Sequence, residues 1–167
     1  MPTITVRRFE YEVLRAKLKP DDKIVILSCD CCAKQSDGLG GEQGLKSLAD
    51  KLATDGFNVL HCELLPVACS PKQLRVRLDD EGNRRLFEEA DIIIPLSCRA
   101  GIQKTKEILP GLRILKVTKT LGKGSFSPET GTRLTEAIED VGIEIDDTDG
   151  VSLPEVADRL GLYPGSF

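Results

Sequence analysis

The sequence predicts an α/β fold, a Rossmann-like or flavodoxin-like three-layer sandwich around a mostly parallel sheet. Three observations carry this. Short runs of β-branched residues such as KIVILS (23–28) and ADIIIPLS (90–97) are apolar along their whole length, as strands buried on both faces are. Charged segments with apolar residues at helical spacing separate those runs. The two kinds of segment alternate in the order βαβαβαβ, and such alternation calls for parallel strands joined by crossover helices.

Taken in order, residues 7–19 place Phe9, Val13, Leu14 and Leu18 on one helical face before Pro20, predicting a leading helix. The strand at 23–28 runs straight into the cysteine-bearing loop CDCCAKQSDGLGG. EQGLKSLADKLATDG then carries Leu45, Leu48, Ala49 and Leu52 at helical spacing, with Gly56 as C-cap. FNVLHCELL (57–65) reads as the second strand. Leu74, Leu78, Leu86 and Phe87 mark helical structure over 71–89, broken by a turn near Asp80 and Gly82. The third strand, 90–97, ends at Cys98, and a short helix from Gly101 to Leu109 leads to a fourth strand at 113–120. Beyond it, LGKGSFSPETG reads as a loop, 130–141 as a helix, GIEI as a short strand and SLPEVADRLG as a final helical turn or two.

A length of 167 residues suits one domain. We therefore expect a single domain over 1–167, with a core and leading helix at 1–122 and an extension at 123–167. Apolar residues make up 40% and charged residues 30%, a balance that favours folding over disorder. The net charge of −4 comes from interspersed signs, with no basic stripe and no tryptophan, so nucleic acid is not an expected partner. No run is long enough to span a bilayer, and the charged N-terminus does not resemble a signal peptide. A cytoplasmic location is expected. Six cysteines are many for a reducing compartment, where clustered thiols more often bind metal or carry redox chemistry than form disulfides.

In an open parallel sheet, ligands bind beyond the carboxyl ends of the strands. Cys29, Cys31 and Cys32 follow the first strand, Cys62 and Cys69 belong to the second and its loop, and Cys98 follows the third. Cys29 and Cys32 form a C-x-x-C pair, which lets two thiolates and nearby backbone N–H groups serve one metal centre. Cys62, more than Cys69 or Cys98, also fits a buried small hydrophobe. A thioredoxin-like dithiol and a zinc ribbon are weaker matches, because the first needs no remote cysteines and the second needs two such pairs. His61 reads as a hydrogen-bonded structural residue. GLGG (38–41), preceding a helix, offers amides to a phosphate but does not complete a dinucleotide fingerprint. No catalytic triad or carboxylate pair is evident, and no catalytic residue is assigned.

ADIIIPLSCRAGIQ, with ILPGLRILKV after it, resembles the C-terminal domain family of methylenetetrahydrofolate reductases, which in some bacteria forms a small subunit beside the flavin-bearing one. Cys29 and Cys32 match its first two cluster positions; Gly40, Gly41 and Glu42 match its helix opening; Cys69 matches its lone cysteine; Cys98, Ala100 and Gly101 match its last motif. The resemblance spans roughly residues 10–122. Ser36 stands at the third cluster position, Cys31 is added, and Arg99 replaces a common glycine. What the resemblance implies is a 4Fe-4S cluster, or alternatively zinc, held by Cys29, Cys32, Cys69 and Cys98, with Cys31 able to supply the missing thiolate. It also implies a flavoprotein partner in one-carbon metabolism and electron transfer or assembly as the role. The alternatives are a structural zinc subunit without redox activity and a thiol- or metal-dependent methyl-transfer enzyme.

Overall fold

The computed structural model describes residues 1–167 and is a mixed α/β structure with two four-stranded sheets. In chain order the elements are β1 (Thr3–Arg7), α1 (Tyr11–Ala16), β2 (Lys23–Cys29), α2 (Cys32–Gln35), α3 (Gly41–Thr54), β3 (Asn58–Leu65), α4 (Pro71–Asp79) and α5 (Glu81–Glu89). They continue with β4 (Ile92–Leu96), α6 (Arg99–Ile108), β5 (Arg113–Ile114), β6 (Thr118–Ser127), β7 (Gly131–Ala137), β8 (Val151–Ser152) and α7 (Leu153–Leu160). A 3₁₀ turn occupies Glu139–Val141.

One sheet is parallel, in the order β3-β2-β4-β5. Its two central strands are apolar on both sides because both sides are covered. Ile24, Ile26, Ile92 and Ile94 pack with Leu45, Leu48 and Leu52 of α3 and with Leu14 of α1. The alternate residues Val25, Leu27 and Ile93 pack with Leu74 of α4 and Phe87 of α5. The continuous apolar runs thus arise from a period of two applied to two buried faces.

The other sheet is antiparallel, in the order β1-β6-β7-β8. Its core joins Ile4 and Val6 of β1, Leu121 of β6, Leu134 of β7, and Leu153 and Val156 of α7. Close strand approach needs glycine here: a Cβ on Gly124 would lie 2.1 Å from the Arg133 carbonyl oxygen and 2.5 Å from Ile4 Cγ1.

Several expectations are corrected by this architecture. A mostly parallel sheet accounts for only half of the strands. The leading helix expected over 7–19 is confined to Tyr11–Ala16, and a strand the sequence reading does not contain occupies Thr3–Arg7. The strand expected over 113–120 is split between the sheets, and Pro95 explains where. The Ile93 carbonyl accepts from Leu115 N–H at 2.9 Å, so residue 93, and by alternation residue 95, direct their backbone polar groups toward β5. Proline has no N–H to continue that ladder. Pairing with β4 stops after Ile114, and the chain leaves to become β6 in the second sheet. The expected loop at 121–131 and helix at 130–141 form the β6–β7 hairpin and the short 3₁₀ turn, and GIEI is not a strand. Leu134, Ala137, Ile138 and Val141 fit helical spacing, but Thr132 and Leu134, which are buried in the hairpin, fit a strand equally well. The final helix is present as α7.

Candidate thiol site

The strand order places the reversal of winding between β2 and β4: β3 lies to one side of β2, and β4 lies on the other. Ligands in open α/β sheets bind at such a point, beyond the carboxyl ends of the two strands. Cys29 is the last residue of β2, Cys98 lies two residues past β4, and both are buried. Cys31 and Cys32, partly exposed, cap and begin α2.

Cys31 and Cys98 each lie close enough to Cys29 and Cys32 to feel their charge. Burial pushes the Cys31 thiol up from its ordinary range, and the proximity of Cys32 and then of Cys29 adds to the effect. Burial likewise raises Cys98, with Cys32 and Cys29 contributing, while the N–H groups of Gly101 and Ala100 at the start of α6 partly offset it. Cys29 Sγ accepts a hydrogen bond from Ala68 N–H at 3.5 Å. One backbone amide thus points at Cys29 Sγ, and the amides opening α6 favour the Cys98 thiolate, an arrangement suited to a sulfur-ligated cluster.

Of the sequence-predicted ligands, Cys29, Cys32 and Cys98 are brought together. Cys69 is exposed, but its neighbour Ala68 sits between Cys29 Sγ and α6, because a Cβ on Gly101 would come within 3.0 Å of Ala68 Cβ. Cys62 belongs elsewhere. It packs at the edge of the core beneath α3, and burial, then Asp50, raises its pKa. His61 hydrogen-bonds Glu63 at 2.8 Å and meets Phe87 edge-on, a structural setting as the sequence suggested.

The second sheet braces both cysteine loops, a role the sequence did not disclose. Ser36, at the position where the family pattern has a cysteine, is fully buried and accepts from Thr5 N–H of β1 at 3.1 Å while donating to the Cys32 carbonyl at 3.0 Å. Thr132 of β7 donates to the Gln35 carbonyl at 2.7 Å. On the other loop, Thr118 Oγ1 donates to the Ser97 carbonyl, and Arg99 N–H donates to Thr120 Oγ1, both at 2.8 Å.

Gly40 seats the N-terminus of α3 against this site. A Cβ there would lie 2.7 Å from Ala33 Cβ, 2.8 Å from the Cys29 carbonyl oxygen and 3.1 Å from that of Leu96. The adjoining GLGG cavity, about 900 Å³, is lined by Asp30, Asp37 and Glu42 against Lys34 and Lys46, a poor field for a phosphate.

A donor set of soft thiols, with the Ala68 amide at Cys29 Sγ, fits a thiolate-ligated iron–sulfur cluster. No three His, Cys, Asp or Glu side chains are grouped so as to hold a metal ion. The raised pKa values of Cys31 and Cys98 mean that metal uptake at this edge would displace protons. No helix is long and apolar enough to cross a membrane. In comparisons with family models, characterised proteins and solved structures, none matched the chain.

Proposed function

We propose that the protein is a non-catalytic subunit that holds a 4Fe-4S cluster at the carboxyl edge of a Rossmann-like or flavodoxin-like parallel layer. Cys29, Cys32 and Cys98 would hold it, with Cys69 closing the set and Cys31 as the alternative fourth ligand. The observation that carries this reading is the gathering of thiols from the β2 and β4 loops at the winding reversal, with the Ala68 amide on Cys29 Sγ. The Ala68 N–H on Cys29 Sγ brings the backbone next to Cys69 to this edge, which favours Cys69 as the fourth ligand.

When bound, the cluster supplies one-electron transfer. The chain's own residues contribute the rest. The Ala68 amide donates to Cys29 Sγ and the amides of Ala100 and Gly101 favour the Cys98 thiolate, which would raise the potential of a bound cluster; burial of Cys29 and Cys98 keeps water from that side, and the second sheet fixes the spacing of the two loops. A flavin-dependent methylenetetrahydrofolate reductase as the partner, with this chain serving electron transfer or assembly, is the reading favoured by the order of Cys29, Cys32, Gly40–Glu42, Cys69 and Cys98–Gly101 along the chain. Substrate chemistry would belong to that partner's flavin.

Anaerobic isolation followed by iron, sulfide and zinc analysis tests the proposal. About four irons and four sulfides per chain, the content of one such cluster, together with a broad visible band bleached by dithionite, support it. Zinc in one-to-one ratio without sulfide overturns it in favour of a structural subunit, and a metal-free protein with an alkylatable thiol pair overturns it in favour of thiol chemistry.

A further inference from the structure

The loop carrying Cys98 also borders a second cavity, of about 350 Å³, between the two sheets. Arg99 and Lys106 on one face of α6, Arg8 after β1, Lys116 before β6 and Lys119 on β6 line it, and Asp140 is its one carboxylate. Five cations thus converge in a chain whose net charge is −4. We propose that this cavity binds a small anion bearing a diphosphate group.

Four of the five cations lack partners of their own. Arg99 lies 3.7 Å from Asp140, whereas Arg8, Lys106, Lys116 and Lys119 make no ion pair. Nearby Glu107 is already engaged by Lys104 and Gln103. The Lys116 ammonium is held below its ordinary pKa by its contact with Lys106, and Arg8 and Arg99 add to the repulsion. Gathering like charges without a counterion is unfavourable, and an anion removes that cost.

Several of the groups are also fixed in place. The Arg8 backbone N–H donates to the Val117 carbonyl and its Nε to the Thr118 carbonyl, at 2.9 and 2.8 Å, leaving the terminal guanidinium nitrogens free to donate. Thr120 Oγ1 accepts from Arg99 N–H, so its own proton is available to a ligand. Guanidinium and ammonium groups arrayed around a small volume suit phosphate oxygens. Their spread over four segments favours a diphosphate over a single phosphate. No aromatic side chain lines the cavity, and its apolar residues are Ile102 and Ile138, so no stacking site for a base is present. This assignment does not depend on the metal reading.

Isothermal titration of the full chain with inorganic pyrophosphate tests it. The expected result is saturable one-to-one binding that weakens with ionic strength, with orthophosphate weaker. The K106A/K116A double variant should lose about 100-fold in affinity, taking about tenfold per charge-assisted contact, with an unchanged circular dichroism spectrum. A K46A/K72A double variant, which alters lysines outside the cavity, should bind as the parent does. ADP in a parallel titration separates an esterified from a free diphosphate, and binding of either upholds the assignment. Absence of saturable pyrophosphate binding, equal binding by K106A/K116A, or citrate binding as tightly as pyrophosphate would overturn it.

Discussion

Substituting Gly40→Ala adds one methyl group at the point where α3, the end of β2 and the end of β4 meet. Gly40 has φ −110° and ψ −151°, so the cost is steric and does not come from a left-handed backbone. Two of the three atoms in the way are the carbonyl oxygens of Cys29 and Leu96, which sit at the ends of the two central strands and cannot retreat as a flexible side chain would. Overpacking in a filled site costs roughly 1–3 kcal/mol. Loss of glycine's freedom in the unfolded chain returns about 0.4–1 kcal/mol. The net expectation is a destabilisation of about 1–2 kcal/mol, which at a urea m-value of about 2 kcal/mol/M lowers the denaturation midpoint by about 0.5–1 M. Because relief must displace Cys29 or α2, the variant should also take up less iron on anaerobic reconstitution. Gly111, in the turn between α6 and β5 with nothing within 4 Å of a built Cβ, is the control, and Gly111→Ala should be neutral or slightly stabilising. Equal midpoints for the Gly40→Ala variant and the parent would refute this account of how α3 is seated.

Ser36→Ala leaves the buried Thr5 N–H without its partner and should cost about 1–3 kcal/mol in urea denaturation. Phe87→Ala empties a fully enclosed site between α5 and the parallel sheet and should cost about 3–5 kcal/mol by the same measurement. Cysteine alkylation followed by peptide mass spectrometry should label exposed Cys69 well before buried Cys98 at neutral pH. Cys31, Cys62 and Cys98 have pKa values raised above the ordinary thiol value of 9.0, so the folded state holds their protons longer than the unfolded state does. The stability tied to these neutral thiols is complete below that value and declines as pH rises through the folded values. A denaturation midpoint that climbs across the alkaline range would contradict that sign.

Much of the parallel layer is legible in the sequence because its strands are buried on both faces. Few patterns other than a covered parallel strand produce KIVILS or ADIIIPLS, and the helices between them keep clear periodicity. The second sheet is hidden for physical reasons. Residues 118–127 alternate small and polar groups, with Gly122 and Gly124 where apolar residues would ordinarily announce a strand, and 131–141 satisfies both a period of two and a period of 3.6. β1 escapes notice because TITVRRF lies immediately before the genuine helical residues Tyr11 and Leu14 and its end merges with their pattern.

The site divides in the same way. Cys29, Cys32 and Cys98 are foreseeable because loops at the ends of neighbouring parallel strands must meet. Bracing by Ser36, Thr118 and Thr120 is not foreseeable, because it runs through a sheet the sequence does not reveal. The basic cavity is only partly legible: Arg99, Lys106, Lys116 and Lys119 lie in a stretch whose one acidic residue is Glu107, but Arg8 is remote in sequence, and the five converge only when the two sheets pack.

Anaerobic iron–sulfur reconstitution of single Cys→Ser variants, read by iron content and electron paramagnetic resonance of the reduced protein, tests the central claim most directly. Cys29→Ser, Cys32→Ser and Cys98→Ser should each lose or alter the reduced-cluster signal, and Cys62→Ser should retain the parent's iron and spectrum. Retention of a full, unaltered cluster by all three site variants, or its loss in Cys62→Ser alone, would contradict a thiolate centre at the β2–β4 edge.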